Sequence, residues 1–288
     1  MAARLAAGDA AALAEEHGLA RIGSRPALGA YIRSLWSRRY FIGVLATSRA
    51  YARNQNTYLG QLWALLNPLL WAGVYLFVFG VLLDTSRGVD NFIGFLVIGV
   101  FMFRFTSSSV TAGAKAITSN LALVRSLHFP RALLPMSIVL AELATLVPAV
   151  LVLCVIVLIT GEPLTWSWLL FPVAVIVQWV FNTGFSFILA RLVAQARDLL
   201  NVLPFVLRGL MYTSGVFFSI DHYVGTGVLG SVLAYQPVAV YLTLARSCLL
   251  QDFPPDPLVW GFGVGWALLF AVGGFLFFWR AEEKYGRD

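Results

Sequence analysis

Charge is scarce in this chain. Only 12% of its 288 residues are charged, 59% are hydrophobic and the mean hydropathy is +0.81, far more apolar than a water-soluble core requires. So few charges cannot clothe a globular surface, which excludes a soluble fold and points to an integral membrane protein. Cysteine is nearly absent too. Cys154 falls inside an apolar run and Cys248 in a segment between runs, which excludes a disulfide framework. The three histidines, His17, His128 and His222, stand on separate segments without HExxH or CxxC, so the familiar zinc sites have no ligand set here. No GxxxxGK[ST] stretch occurs, and the chain lacks a loop of its own for ATP phosphates.

What is abundant is uncharged sequence of membrane-crossing length. Residues 62–83, 163–190 and 257–279 can each cross a hydrocarbon layer of about 30 Å as a helix. Three further runs carry one charged residue each: 92–114 contains Arg104, 133–160 contains Glu142 and 199–220 contains Arg208. The predicted fold is therefore all-α, with six spans at about 62–83, 92–114, 133–160, 165–190, 199–220 and 257–279.

The net charge of +6 could signal a nucleic-acid partner, but the basic residues sit between the spans. With the N-terminus inside, the inner segments hold seventeen of the twenty Lys and Arg. Eight lie up to Arg53, followed by Lys115, Arg125, Arg131, Arg191, Arg197, Arg208, Arg280, Lys284 and Arg287. Short cytoplasmic loops carry this excess, so both termini are expected in the cytoplasm. The opening MAARLAAGDAAALAEEHG lacks the unbroken apolar core of a signal peptide, which agrees.

Residues 223–245 are also uncharged and long enough to span, yet they are Gly-rich and split by Gln236-Pro237. Backbone freed at such a break must be buried in protein or face water, so two re-entrant outer half-helices are expected over 222–246. The N-terminal region differs in kind. Leu28, Tyr31, Ile32, Leu35 and Ile42 recur on one helical stripe with Arg33 and Ser37 opposite. That pattern predicts an amphipathic interface helix over 28–57, with Trp36 and Tyr40 at headgroup depth. Residues 1–27 are expected to be loosely ordered, and 281–288 form a cytoplasmic tail.

Arg104 is the most conspicuous intramembrane charge, and such groups face a bundle interior or a water-filled cavity. Two readings stand: a pair with Glu142, or a residue lining a pathway. Rings are dense in the first two spans (Trp63, Trp71, Tyr75, Phe77, Phe79, Phe101, Phe103, Phe105) and the fifth (Tyr212, Phe217, Phe218). Rings commonly face lipid or sit in interfacial belts, but they also stack on sugars. The inner loop SNLALVRSLHFPRALLPM, Ser119 to Met136, reads equally as an ordinary connection or as a docking helix that Pro130 terminates.

In order along the chain stand the amphipathic helix, YLGQLWALLNPLL, FPR between the second and third spans, ARDLL before the fifth, YQPVAVYLTLAR in the outer segment, and a basic tail. This combination resembles the ABC-2 type permeases that export polysaccharides, the Wzm-type O-antigen and galactan exporters and the teichoic acid exporters, over about residues 28–285.

The resemblance implies a homodimeric, multi-pass permease of the bacterial inner membrane that moves a lipid-linked glycan outward. It implies two copies of a separate ATPase subunit, which bind ATP and Mg, and no cofactor on this chain. It assigns coupling to Asn120, Arg125, His128, Phe129, Pro130 and Arg131, and the interface helix to Tyr31, Trp36, Arg38 and Arg39. The conduit falls to Tyr58, Trp63, Tyr75, Phe101, Arg104, Tyr212 and Phe217, and the outer gate to Gln236 and Pro237. This chain departs from the family at Gln236-Pro237, often Asn-Pro, and at Gly215-Val216, often Pro-Ile; each site keeps a helix breaker.

In that frame Tyr58, Gln61 and Trp63 meet headgroups and an entering substrate, and the Asn67-Pro68 pair opens a lateral doorway. An ABC-2 exporter of a teichoic acid, lipid or drug is the nearest alternative. A membrane-embedded transferase would need paired carboxylates or a metal on one membrane face, and the cytoplasmic loops offer only Asp198.

Overall fold

A computed structural model describes residues 26–52, 58–82, 89–127, 129–223, 225 and 227–285. The expectations for residues 1–25, for His128 and for the tail beyond Tyr285 lie outside the described residues. Among the described residues every regular element is helical.

Two helices come first, α1 (Leu28–Ser37) and α2 (Arg39–Ala52), separated at Arg38 where the sequence predicts one continuous helix. Their buried stripe is Tyr31, Leu35, Ile42 and Ala46, and Trp36, Tyr40 and Val44 stand exposed on the other side. This is the amphipathic division that makes a surface helix stable. Next comes α3 (Trp63–Tyr75), which loosens into a π-helical stretch over Leu76–Leu82. The remaining helices are α4 (Phe92–Ala114), the short α5 (Leu121–Ser126), α6 (Leu133–Ile159), α7 (Phe171–Gln195), α8 (Leu199–Thr213), α9 (Ile220–Tyr223), α10 (Val228–Ala234), α11 (Pro237–Leu249) and α12 (Pro257–Trp279).

Among the described residues, four helices are long and apolar enough to cross a membrane: α4, α6, α7 with its preceding 3-10 turn, and α12. α3 and α8 are shorter apolar helices, and α10 and α11 form a pair bent by 72°. The sequence reading runs the fifth span to residue 220, but α8 stops at Thr213. The reason is local: Gly215 adopts φ +68°, a left-handed conformation that ends helical propagation. The bend between α10 and α11 follows from Pro237 at the first position of α11, preceded by extended Gln236.

α4 is the central helix, buried along most of its length, while α6 and α12 turn most of theirs outward. Its seam with α7 is polar. Gln178 Nε2 donates to the Met102 carbonyl at 3.0 Å and to Thr106 Oγ1 at 2.9 Å, and Ser186 Oγ donates to the Ser109 carbonyl at 3.2 Å. Side-chain hydrogen bonds of this kind join helices where lipid provides no hydrophobic drive. α7 and α12 cross at glycines: a Cβ on Gly274 would collide with the Gly184 carbonyl, whereas one on Gly273 would meet open space. Gly274→Ala is therefore expected to cost about 1–3 kcal/mol and to lower the melting temperature of the solubilised protein, with Gly273→Ala unchanged beside it.

Candidate functional site

At one end of the bundle the loop between α4 and α6 is clamped at both its ends. At its start, Arg49 of α2 donates from Nη2 to Asn120 Oδ1 at 3.0 Å, and Asn120 Nδ2 donates to the Ala116 carbonyl at 2.7 Å. At its finish stands Glu282, on the turn that follows α12. Tyr31 donates its O–H to Glu282 Oε2 at 2.8 Å, the Arg131 N–H donates to Glu282 Oε1 at 2.9 Å, and the Arg131 guanidinium reaches the Glu282 carbonyl. The Ala132 N–H closes the cluster by donating to Tyr31 Oη at 3.1 Å.

Tyr31 is 1% exposed and Glu282 7%. Burial pushes the Glu282 carboxyl above the usual carboxylate range, partly offset by the Arg131 N–H, the Tyr31 O–H and the Arg131 charge. Burial, followed by the Glu282 charge, likewise raises the Tyr31 phenol. Between the two clamps, α5 leaves Arg125, Ser126 and Leu127 exposed, while Val124 turns inward. Phe129 is half-buried against the core that holds Tyr31, Val124 and Leu133, and Pro130 is buried.

This arrangement divides the residues that the sequence grouped together. Asn120 and Arg131 anchor the loop from within, and Arg125 is presented outward. Tyr31 points into the protein, away from the exposed Trp36, Arg38 and Arg39; there the Arg39 guanidinium lies 5.4 Å from the Trp36 ring and 4.7 Å from the Tyr40 ring.

The conduit candidates are also split. Tyr75, Tyr212 and Phe217 come together in one chain of rings. Trp71 stacks on Tyr75 at 5.6 Å, and Tyr75 meets Phe217 at 4.7 Å. Phe217 stacks on Phe79 at 4.2 Å and meets Tyr212 at 5.7 Å. Trp71 and Tyr212 are exposed at its two ends. Tyr75 also lies within electrostatic reach of Arg104 and Arg208, both exposed. Phe217 itself is 1% exposed and lies with Phe101 in the main core, so neither presents a free ring face, against the expectation that both line a conduit; Tyr58 is fully exposed ahead of α3, and Trp63 is half-buried. Arg104 is exposed on α4 while Glu142 is buried on α6.

At the other end the arginine that closes the outer stretch YQPVAVYLTLAR organises the structure. Arg246, 4% exposed near the end of α11, donates to the carbonyls of Phe95 (3.3 and 3.2 Å), Gly215 (2.9 Å) and Val216 (3.2 Å). Its guanidinium sits 3.3 Å from the Phe95 ring centroid, so carbonyl dipoles and a ring face hold the cation. Gly99 makes room for it: a Cβ there would stand 2.6 Å from Arg246 Nη2. Gln236 Nε2 donates to the Thr213 carbonyl at 2.8 Å, fastening the α10–α11 bend to the end of α8. Nearby, Glu162 accepts from Asn91 Nδ2 at 3.1 Å and from the Gln251 N–H at 3.0 Å, tying α4 and α6 to the loop before α12. The one sequence signal for Arg246 was a lone cation inside the apolar stretch VAVYLTLARSCLL.

The model of the ABC-2 type transporter family matches residues 41–250, from α2 through the end of α11. The chain belongs to the ABC-2 type transporter family. It is 29% identical over 254 residues to the O-antigen export system permease protein RfbA of Myxococcus xanthus, covering 88% of this chain and 96% of that one. It is also 27% identical over 201 residues to the protein of the same name from Klebsiella pneumoniae, covering 69% and 76%. Family membership and the four membrane-length helices make the chain a multi-pass membrane protein of a transporter, and membership implies pairing with an ABC nucleotide-binding subunit.

Proposed function

We propose that this ABC-2 chain is the permease of an ATP-driven exporter that carries a lipid-linked polysaccharide, O-antigen-like or galactan, from the cytoplasmic face of the bacterial inner membrane to its outer side. The observation that carries the reading is the likeness to the Myxococcus xanthus export permease over 96% of that protein's length. In this reading the chain crosses the membrane six times with both termini in the cytoplasm, α3 and α8 being the short spans. α10 and α11 are re-entrant half-helices of an outer gate built around Gln236 and Pro237.

Two protomers pair so that the exposed face of α8 is covered. That face carries Arg208 and Tyr212 beside Phe205 and Val206, and an arginine at membrane depth belongs in a protein interior or a hydrated path. The conduit between protomers is then lined by the exposed rings of Trp71 and Tyr212, which stack on sugars without fixed hydrogen bonds and are backed by Tyr75 and the buried Phe217, and by Arg104 and Arg208. Two nucleotide-binding subunits bind ATP and Mg and press on α5 with its exposed Arg125, and their closure widens the conduit.

Depleting the chain from its host is expected to leave lipid-linked glycan in the inner leaflet, shielded from a membrane-impermeant glycosidase added to intact cells. Restoring wild-type chain returns the glycan to the surface, and the Arg104→Glu, Arg208→Glu double variant does not. Unchanged surface glycan on depletion would remove the reading.

A further inference from the structure

The Arg246 cluster closes off a cavity of about 630 Å³. Its walls come from the turn after α8 (Phe218), from the bent pair (Tyr235, Thr243) and from the loop before α12 (Asp252, Phe253, Asp256), with Arg246 in the wall. The volume lies within the range of small-molecule sites, about 300–1,000 Å³. The backbone around it is fixed: Arg246 bonds to Phe95, Gly215 and Val216, Asp252 Oδ2 accepts from the Asp90 N–H at 3.1 Å, and Asp256 Oδ1 accepts from the Leu258 N–H at 2.8 Å.

The chemistry of the lining selects among ligands. Polar and apolar atoms share the walls, which an acyl chain would leave unsatisfied. Two carboxylates oppose an anion, and Arg246 and His222 in the same wall leave no purely acidic face for a free cation. Among the described residues no three His, Cys, Asp or Glu side chains gather as a metal site. A neutral, polyhydroxylated ring meets every requirement. Its C–H faces would lie on the rings of Phe218, Phe253 and Tyr235, while its hydroxyls would donate to Asp252 and Asp256 and exchange hydrogen bonds with Thr243 and Tyr235.

We propose that this cavity is a sugar-binding subsite within each protomer, behind the bent α10–α11 pair, which holds a short stretch of the emerging glycan. The assignment rests on the export reading for its biological sense. It differs from the conduit proposed between protomers, because the residues of a single protomer already form these walls.

The test is saturation-transfer NMR on the permease in detergent, with galactofuranosyl, galactopyranosyl and mannosyl disaccharides as probes. Wild type is expected to transfer saturation to at least one of them. Thr243→Trp, which fills the cavity, and Asp252→Asn, which keeps the acceptor for the Asp90 N–H but loses the charge, are expected to weaken that binding about tenfold or more. Equal melting temperatures and elution volumes establish that the variants are folded. Thr243→Leu, a smaller filling, serves in its place if Thr243→Trp fails to fold. No transfer to any disaccharide, or equal transfer by wild type and the filled variant, overturns the subsite. The glycosidase assay on depleted cells reads separately: retained export without sugar binding rejects the subsite alone, and sugar binding without export rejects the export reading alone.

Discussion

Arg246→Met is expected to cost about 3–5 kcal/mol, the penalty for breaking a buried charged network, and to lower the melting temperature of the solubilised protein by roughly 10 °C. Methionine keeps most of the side-chain length but donates nothing. The carbonyls of Phe95, Gly215 and Val216 are then left without the buried donor they share. Those three carbonyls belong to α4 and to the turn after α8, so the loss releases α11 from both. Arg246→Lys is expected to recover only part of the stability, since a single ammonium cannot span acceptors on two segments as a planar fork does. Gly99→Ala reports on the same cluster from the other side, because its Cβ would stand 2.6 Å from Arg246 Nη2 and 3.0 Å from the Val216 carbonyl. A cost of about 1–3 kcal/mol is expected there. A melting curve for Arg246→Met that overlays wild type would show that the cluster carries no structural weight.

Glu282→Ala is expected to separate ATP hydrolysis from transport. Removing the carboxylate leaves the Tyr31 O–H and the Arg131 N–H without acceptors in a buried setting, at about 1–3 kcal/mol each. The finish of the α4–α6 loop then loses its hold on both α1 and the tail, while α5 and its exposed Arg125 remain chemically intact. In nanodiscs with the nucleotide-binding partner, basal ATP hydrolysis is expected to persist while glycan moved per ATP falls about tenfold, the equivalent of 1.4 kcal/mol. Tyr31→Phe keeps the ring packed and removes only the hydroxyl, so a smaller fall in the same direction is expected. The double variant should fall short of the sum, because both changes remove one shared cluster. Full additivity, or unchanged glycan per ATP in Glu282→Ala, would mean that the cluster does not position the loop.

The membrane-length helices were legible from hydropathy because twenty uncharged residues in a row have few other folds open to them. The buried stripe of α1 and α2 was legible in part: Tyr31, Leu35 and Ile42 recur at helical spacing and are buried, whereas Ile32, assigned to the same stripe, is 50% exposed because it lies one residue round the helix from Tyr31. The end of α8 at Thr213 was not, because it is set by the backbone of Gly215, and hydropathy does not report φ. Nor could periodicity find Arg246 or Glu282, whose partners Phe95 and Arg131 each lie 151 residues away.

Arg246 stands out in the sequence only as a lone cation in an apolar stretch, and Glu282 only as an acid in a basic tail. Ring density had the same weakness. Phe101 and Phe217 are both buried in the main core while Tyr212 stands exposed, and composition assigns all three alike. Tyr31 shows the limit from the other direction: its place on the apolar stripe was correct, but periodicity says nothing of its hydroxyl, which joins the loop to the tail.

The central claim is that α5 receives the force of a nucleotide-binding partner on behalf of a glycan path. The most direct measurement is ATP hydrolysis in lipid nanodiscs by the co-purified permease and ATPase, with and without lipid-linked glycan, comparing wild type with Arg125→Glu on the exposed end of α5. The account expects the two proteins to co-purify, the glycan to change turnover in wild type, and Arg125→Glu to abolish that response without unfolding the permease. An ATPase that fails to bind, or a glycan response that Arg125→Glu leaves untouched, would contradict it.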